Sequence, residues 1–472
     1  MLADILRRTQ GKRPLIPDYQ AVIIDEAHKF IDAARSMYGC TLSLLEFTNI
    51  IGELRGFTFY QGIPTADIRN LLDRITSKVG LLFQFLNREV TDEENTDEPA
   101  ERYTTKIRER TAKLVISLQK EIDMLRVTLE EKPVIVRYES RKKDILWALE
   151  RISGSLGKFT KHSELVYWLE ESETPCVELD RGIRLPVLQG IPKNLGEILH
   201  RDIWSKKIPF ILTSGTMSAA GSFEHIKRKL GIYLLPNNRL TETTKPSPFN
   251  HKENAILYIS EVTPFPDNKD CRYIEAIADE AERLISAAHG HTALLFTSYK
   301  AMDMVYEQIM ARKPAYPIFR LDRGGAAAIE QFKNSGNGVL FASGALWEGI
   351  DIPGDILSML IIVRLPFAVP DPISEWERTL YDSMDEYKAK VVVPEMLIKL
   401  KQGFGRLIRT ETDTGVVAIL DSRANERGAY RQRVIAALPP CRVTSDICVV
   451  ERFIREKKPV KYFSTCDNER IA

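Results

Sequence analysis

The stretch Val22-Ile23-Ile24-Asp25-Glu26-Ala27-His28 decides how the rest of the chain is interpreted. Its three consecutive β-branched residues predict a strand that is buried on both faces, as in parallel sheets. In an open parallel sheet, ligands bind outside the carboxyl ends of the strands, so carboxylates that directly follow a strand are well placed for chemistry. Asp25 is suited to hold Mg²⁺ together with waters and substrate phosphates. Glu26 is suited to orient or deprotonate a water that attacks a γ-phosphate.

A purely structural interpretation of these two carboxylates stays open at this point. Acidic residues stabilise the N-terminus of a helix through its dipole, and short motifs such as a lone Asp-Glu pair arise easily by chance. The full Asp-Glu-Ala-His sequence after an apolar strand is more specific. The remainder of the chain therefore has to distinguish the two interpretations.

The composition restricts the class of protein. The 472 residues suffice for two to four domains, and the 44% apolar and 28% charged fractions are typical of globular proteins. The 66 Lys and Arg nearly cancel the 65 Asp and Glu, so a nucleic-acid site would have to be a local basic groove. Neither a signal peptide nor a membrane-spanning stretch is visible, which predicts a cytoplasmic protein without a membrane partner. Six cysteines without C-x-x-C spacing argue against zinc, disulfides and an iron–sulfur cluster.

Three apolar stripes with helical spacing begin at Ile68, Leu114 and Ile145 and predict a mainly helical region. The acidic run 91–99 between the first two is typical of a solvated loop. Strand patterns return at 165–169 and 175–179.

A further apolar strand at 209–213 runs into Ser214-Gly215-Thr216. Hydroxyls and a glycine at the end of a strand can bind a phosphate, a water or a neighbouring carboxylate. Ser-Gly-Thr is also ordinary turn chemistry, so this signal is weak alone.

From about residue 250 the chain alternates between strand and helix patterns, which predicts a parallel sheet covered by helices on both faces. The predicted strands are Thr292–Phe296, Gly338–Phe341, Met359–Val363 and Val416–Leu420. Each is followed by polar residues, which is more than a hydrophobic core requires. A ligand-binding edge is therefore expected on this sheet.

Two further stretches point to a nucleotide or a nucleic acid. In 343–354, glycines and carboxylates suit close approach to a ligand, and Trp347 offers an aromatic ring on which a base could stack, although a core role is about equally compatible. On a helix beginning near Pro394, Gln402, Arg406 and Arg409 would share one face. Two arginines there suit a phosphate clamp, whereas the alternative is a solvated basic face.

Five motifs in order resemble those of superfamily 2 DNA helicases, and within them the DinG branch, the bacterial relatives of XPD. They are Asp-Glu-Ala-His (25–28), Thr-Ser-Gly-Thr (213–216), Leu-Phe-Thr-Ser-Tyr (295–299), Trp-Glu-Gly-Ile-Asp-Ile-Pro-Gly (347–354) and Gln-x-x-Gly-Arg-x-Ile-Arg (402–409). The resemblance implies an α/β fold with two RecA-like, P-loop-NTPase-type parallel-sheet domains and an inserted helical arch. The implied ranges are 1–40 with 160–238 for the first domain, 41–159 for the arch and 239–472 for the second domain.

The resemblance also implies roles for individual residues. Asp25 would hold Mg²⁺, Glu26 would activate water, and Arg406 and Arg409 would contact the γ-phosphate. The residues that would bind nucleotide or couple its state to domain movement are His28, Ser214, Gly215, Thr216, Glu348, Gly349, Asp351 and Gln402. Those that would contact nucleic acid are Thr297, Ser298, Tyr299 and Trp347.

For the whole molecule, the resemblance implies a monomeric bacterial enzyme that uses ATP and Mg²⁺ in DNA repair or replication. It would travel 5′→3′ on single-stranded DNA or on DNA with a single-stranded overhang.

One departure from the family concerns the phosphate-binding loop. No G-x-x-x-x-G-K-[S/T] occurs in this sequence, whereas in the family that loop precedes Asp-Glu-Ala-His. We therefore expect a C-terminal two-thirds of a helicase with an incomplete first domain, inactive toward ATP by itself because the loop normally grips the phosphates. Two alternatives stay open: a nucleic-acid-binding or regulatory module without ATP turnover, and a translocase that does not separate strands.

Overall fold

A computed structural model describes residues 1–61, 65–90, 102–134, 136–174, 183–219, 221–321, 326–344, 352 and 354–463. In this part the strands form one sheet of two strands, one of four and one of seven. The strands are β1 (Val22–Ile24), β2 (Cys40–Ser43), β3 (Arg102–Thr104), β4 (Leu165–Thr174), β5 (Ile183–Pro192), β6 (Phe210–Leu212), β7 (Ala255–Ile259), β8 (Thr292–Phe296), β9 (Ile318–Leu321), β10 (Val339–Ser343), β11 (Met359–Ile362), β12 (Gly415–Ile419) and β13 (Arg442–Thr444).

The helices of the same residues pack against these sheets. They are α1 (Leu2–Thr9), α2 (Phe30–Tyr38), α3 (Leu44–Gln61), α4 (Thr65–Arg88), α5 (Glu109–Glu131), α6 (Glu139–Phe159), α7 (Leu195–Leu199), α8 (Glu224–Leu230), α9 (His251–Asn254), α10 (Cys271–Ala287), α11 (Tyr299–Ala311), α12 (Ala326–Ser335), α13 (Pro372–Arg378), α14 (Met384–Tyr387), α15 (Val393–Phe404), α16 (Arg431–Ala437), α17 (Ile447–Lys457) and α18 (Val460–Phe463). Within the described ranges, no helix is long and apolar enough to cross a membrane.

The first sheet pairs β1 with β6 in parallel, with Ile23 opposite Ile211. Helices α1, α2, α7 and α8 supply a core that covers one face of this pair. On the other face Ile23 is 69% exposed and Ile211 is 51% exposed. The prediction that residues 22–24 are buried on both faces is therefore wrong for the described structure. Alternate residues of a strand point to opposite faces, and here the helices cover only one of them. We call β1, β6 and these four helices the first unit.

The second sheet is antiparallel, in the order β2-β5-β4-β3. It shares one core with α3 to α6, in which Leu165, Leu169 and Leu188 of the sheet pack with the helices. The three helical stripes predicted from sequence are confirmed as α4, α5 and α6. We call β2 to β5 together with α3 to α6 the helical unit.

The structure differs from the predicted boundary at residue 160. That boundary assigns residues 165–192 to the first RecA-like domain, but β4 and β5 pair with β2 and β3 rather than with β1 or β6. The ten-residue pairing of β4 with β5 holds both strands in the helical unit. The predicted strand at 175–179 and the acidic run 91–99 lie outside the described residues.

The third sheet is parallel throughout, in the order β13-β7-β12-β11-β8-β10-β9. Its residues alternate between two cores: Leu257 and Ile259 pack on the side of α15, and Ile256 and Tyr258 pack on the side of α10. The predicted parallel sheet covered on both faces is confirmed, as are its four predicted strands to within two residues. We call residues 255–463 the second unit.

Candidate nucleotide site between the first and second units

Asp25 follows β1 at the carboxyl edge of the first sheet. Its Oδ1 accepts a hydrogen bond from Thr213 Oγ1 at 2.6 Å and another from the Glu26 amide at 2.9 Å. The Thr213 hydroxyl and then this amide hold the pKa of the Asp25 carboxyl below its ordinary value, against the opposite effect of burial. Both bonds go to Oδ1, which leaves Oδ2 available to a water in the shell of Mg²⁺.

The chemistry of the Asp25 carboxylate fits Mg²⁺. Among the residues that the structure describes, no three His, Cys, Asp or Glu side chains cluster in a way that could hold a metal ion. Mg²⁺ is usually bound by one or two carboxylates with waters and substrate phosphates. The exposed, ionised Asp25 carboxylate meets that requirement.

Glu26 has a left-handed backbone with φ of 50°. For a residue other than glycine this conformation costs roughly 1–2 kcal/mol. Two backbone hydrogen bonds of 2.9 Å maintain the turn, from Ala27 N–H to the Thr213 carbonyl and from Lys29 N–H to the Glu26 carbonyl. Strained backbone conformations cluster at functional sites, and here the Glu26 carboxylate lies beside His28.

A hydrogen-bonded cluster joins the two motifs of the first unit. His28 Nδ1 lies 2.8 Å from Ser214 Oγ and 3.2 Å from Glu26 Oε2. Ser214 Oγ lies 3.4 Å from the same carboxylate oxygen and accepts the Thr216 amide at 3.2 Å. The structure thus brings together four of the predicted site residues, although 186 positions separate His28 from Ser214.

Gln402 extends this cluster into the second unit. It lies in the last turn of α15, and its Nε2 donates to Thr216 Oγ1 at 3.3 Å. Continuous polar contacts therefore run from Glu26 through His28, Ser214 and Thr216 to a helix that packs on the third sheet. A movement between the two units must change these contacts.

The prediction that Gln402, Arg406 and Arg409 share one helical face is wrong. Helix α15 ends at Phe404, and the next residues form tight turns, with Arg406 N–H bonded to the Gly403 carbonyl at 3.0 Å. Gly403 and Gly405 explain the ending, since glycine is a poor helix former. The two arginines therefore lie in the loop that leads into β12.

The two arginines have different surroundings. Arg406 Nε is buried and has no hydrogen-bond partner among the described residues. Arg409 Nε donates to the Arg406 carbonyl at 3.1 Å, and its amide donates to Asp413 at 2.9 Å. Burial lowers the pKa of Arg409 from the ordinary guanidinium value, with Asp413 opposing the shift. Arg406 is therefore the better candidate for contact with a ligand, and Arg409 supports the loop.

The other predicted residues fall into two groups. Thr297, Ser298 and Tyr299 follow β8, and Ser298 caps α11 by accepting the Ala301 amide at 3.2 Å. Gly215 lies in the turn between Ser214 and Thr216. The remaining ones lie outside the described residues: Trp347, Glu348, Gly349 and Asp351.

Thr213 is a site residue to which sequence reasoning assigns no separate role. Its hydroxyl orients the Asp25 carboxylate and its backbone carbonyl holds the strained turn at Glu26. In the sequence, Thr213 is marked only by its position directly after a predicted strand. The pairing of β1 with β6 is what brings it beside the carboxylate of Asp25, and this pairing could not be read from the sequence.

We expect Thr213→Val to raise the pKa of Asp25 toward its ordinary value, because the variant removes the strongest hydrogen bond to the carboxylate. A carboxyl group with a lowered pKa stabilises the fold above its ordinary pKa, and that stabilisation is lost as the pH falls through the lowered value. The measurement is a carbon-13 NMR titration of aspartate carboxyls, with the signal assigned by its loss in Asp25→Asn. Thr213→Ser keeps the donor and should keep the low pKa. An unchanged titration in Thr213→Val would contradict this role.

Comparisons with known proteins agree with this architecture. Residues 281–441 match the family described as helicase C-terminal domain. Over 93% of this chain and 80% of the other, the fold is similar to a structure titled apo XPD, with a TM-score of 0.51 and 16% identity. A structure of S. tokodaii Xpd4 gives a TM-score of 0.55 at 14% identity, over 94% of this chain and 80% of that one.

Curated relatives extend the match over most of the chain. Escherichia coli YoaA, an ATP-dependent DNA helicase, is 27% identical over 96% of this chain and 68% of its own length. The probable ATP-dependent helicase YpvA of Bacillus subtilis is 28% identical over 89% of this chain and 60% of its own length. The ATP-dependent helicase DinG of Mycobacterium tuberculosis is 31% identical over 61% of this chain and 42% of its own length.

The comparisons make the chain similar to helicases of superfamily 2. Within that class, its sequence is similar to DinG-type helicases and its fold is similar to that of XPD. It spans about three fifths to two thirds of the length of the YpvA and YoaA relatives.

Proposed function

We propose that this chain provides ATP-dependent DNA helicase activity, which couples ATP hydrolysis to movement on single-stranded DNA and to duplex unwinding. One observation carries the proposal: continuous polar contacts from Glu26 through His28, Ser214 and Thr216 to Gln402. They link the carboxylate suited to water activation with a helix of the second unit. A helicase needs such a link, because ATP hydrolysis in the cleft must change the position of one unit relative to the other.

The site residues take distinct roles in this proposal. Asp25 would hold a Mg²⁺ ion, which would supply neutralisation of charge on the ATP phosphates when both are bound. Glu26 would orient the water that attacks the γ-phosphate. Arg406 stabilises charge on the transferring phosphoryl group, since a guanidinium fits phosphate oxygens well. The loop after β8, with Thr297, contacts the nucleic acid.

The activities of the relatives support the use of ATP and action on DNA. YoaA is described as an ATP-dependent DNA helicase and DinG as an ATP-dependent helicase. We extend this to a monomeric protein of the bacterial cytoplasm that acts in DNA repair or replication on DNA with a single-stranded overhang.

The experiment that tests the proposal follows from the missing sequence motif. Because the 472 residues contain no G-x-x-x-x-G-K-[S/T], we expect the purified polypeptide to bind single-stranded DNA but to hydrolyse ATP near background. A separately expressed segment of a DinG-type relative that carries this loop should restore DNA-stimulated turnover when added, because the loop supplies the amides and lysine that grip the phosphates.

Each outcome of this reconstitution is informative. Turnover above the sum of the two parts supports the helicase proposal, and strand separation then distinguishes a helicase from a translocase. DNA binding without restored turnover favours the alternative of a regulatory nucleic-acid-binding module. DNA-stimulated turnover by the polypeptide alone would show that phosphate binding does not depend on the loop.

A further inference from the structure

Helix α13 lies between β11 and α15 in the second unit, and side-chain hydrogen bonds fix its N-terminus. Asp371 Oδ1 accepts the Ser374 amide at 2.8 Å, and Ser374 Oγ accepts the Asp371 amide at 2.7 Å. Pro372 occupies the first helical position. This capping box and proline fix the direction of the helix, and they leave the second carboxylate oxygen of Asp371 for another partner.

That partner is Arg102 of the helical unit. Its guanidinium forms an ion pair with Asp371 Oδ2 and lies 5.1 Å from the centroid of the Trp168 ring. The Arg102 side chain is 40% exposed and that of Asp371 is 28% exposed. An arginine that is partly desolvated and stacked on an aromatic ring contributes more than an isolated surface ion pair.

The Trp168 ring is held in place from within the second sheet. Its Nε1 donates to Glu170 Oε2 at 3.1 Å, and Glu170 Oε1 accepts from Gln189 Nε2 at 2.7 Å. Gln189 Oε1 in turn accepts from Thr41 Oγ1 at 2.7 Å. These bonds link β4, β5 and β2, so hydrogen bonds within the helical unit orient the ring that Arg102 contacts.

An apolar contact adjoins the ion pair. Val166, Trp168 and Ile191 of the helical unit and Ile373 of α13 form a small buried cluster, with Trp376 packed against it. Burial of this apolar surface stabilises the contact. We call this cluster and the Arg102–Asp371 pair the clasp.

With the clasp, each of the three units is connected to the other two, and we call this arrangement a closed circuit. The chain itself joins the helical unit to the first unit, at the passages from α2 to β2 and from β5 to α7. The first and second units meet through Gln402 and Thr216 and through an ion pair of Lys229 with Glu395. In a closed circuit, the first and second units cannot shift relative to each other unless the helical unit turns or the clasp opens.

We propose that the clasp sets the position of the helical unit, so that this unit follows the second unit when the cleft opens and closes. The passages at Gly39–Cys40 and near Pro192 are then hinges at element ends, which is where large backbone changes are usually absorbed. The proposal rests on contacts between units and does not require ATP turnover by this polypeptide.

Hydrogen exchange tests the clasp with variants that spare the helix cap. Asp371→Asn keeps an N-cap of equal quality but removes the charge that pairs with Arg102. We expect this variant and Arg102→Gln each to speed exchange in β3, β4 and α13 by roughly tenfold, the usual scale of a hydrogen bond to a charged group. The double variant should show no more than either single change, because both remove the same interaction.

The matched control breaks an ion pair inside the helical unit. Arg141 Nε lies 2.9 Å from Glu53 Oε1, and Glu53→Gln should leave α13 unchanged. Unaltered exchange in both clasp variants, additive effects in the double variant, or the same response to Glu53→Gln would each overturn the proposal.

A distance measurement tests the movement itself. Labels carried by non-natural amino acids at Lys120 in α5 and Arg433 in α16, both exposed, report the separation of the helical and second units. We expect a narrow distribution in the unmodified protein and in Glu53→Gln, and a broad one in Asp371→Asn. A distribution that stays narrow in Asp371→Asn would show that the chain connections and the contacts with the first unit, such as those of Lys158 Nζ with the Tyr38 and Gly39 carbonyls, position the helical unit without the clasp.

Discussion

Glu26→Gln is expected to lower DNA-stimulated ATP hydrolysis in the reconstituted assembly by roughly 10²- to 10⁴-fold, the usual contribution of a positioned general base. The Glu26 carboxylate lies 3.2 Å from His28 Nδ1 and 3.4 Å from Ser214 Oγ, so its position is defined by two polar groups and a strained turn. Glutamine preserves the size of the side chain but cannot accept a proton. The measurement is steady-state ATP turnover with and without single-stranded DNA.

Asp32→Asn is the matched control for this variant. Asp32 is an exposed carboxylate of the same segment and pairs only with a neighbour in its own helix, Arg35 at 3.2 Å, among the described contacts. Its loss should leave turnover unchanged. A Glu26→Gln assembly that keeps its full rate would show that water is activated by another group.

Arg406→Lys is expected to lower the same turnover by roughly 10³-fold or more, the scale of an arginine that stabilises phosphoryl transfer. Arg406 Nε is buried without a hydrogen-bond partner among the described residues, so the loop does not depend on that group. A lysine cannot reproduce the fork of a guanidinium. Thermal unfolding should therefore be nearly unchanged while turnover falls.

Arg409→Lys gives the complementary result. Arg409 Nε supports the loop by donating to the Arg406 carbonyl at 3.1 Å, and loss of a charged hydrogen bond costs about 1.5–3 kcal/mol. This variant should lower both the unfolding temperature and the rate. If the two variants gave the same loss of rate and neither changed the unfolding temperature, the distinction between a ligand-binding and a supporting arginine would be wrong.

The third sheet and the helices of the helical unit could be predicted from sequence because their signals are local. Thr292–Phe296 and Met359–Ile362 are apolar runs buried on both faces, and α5 repeats its buried residues at helical spacing. In both cases the pattern depends on residues only a few positions apart.

The features that could not be predicted depend on distant pairing. The local pattern of residues 165–174 predicts a strand but does not indicate which sheet the strand joins. Only the pairing of β4 with β5 and β3 assigns these residues to the helical unit. Arg102 and Asp371 are 269 positions apart, so the sequence around either residue does not indicate that the two form an ion pair. The end of α15 was different: Gly403 and Gly405 were visible in the sequence and already indicated a helix terminus.

The exposed isoleucines of the first sheet have a consequence for handling the protein. Ile23 and Ile211 lie directly opposite each other on the uncovered face, and in the described residues β1 and β6 pair only with each other. Each strand therefore presents an outer edge of backbone donors and acceptors beside an apolar surface, a combination that recruits strands from other molecules. We therefore expect concentrated solutions of the polypeptide to self-associate through this face unless another segment or protein covers β1 and β6.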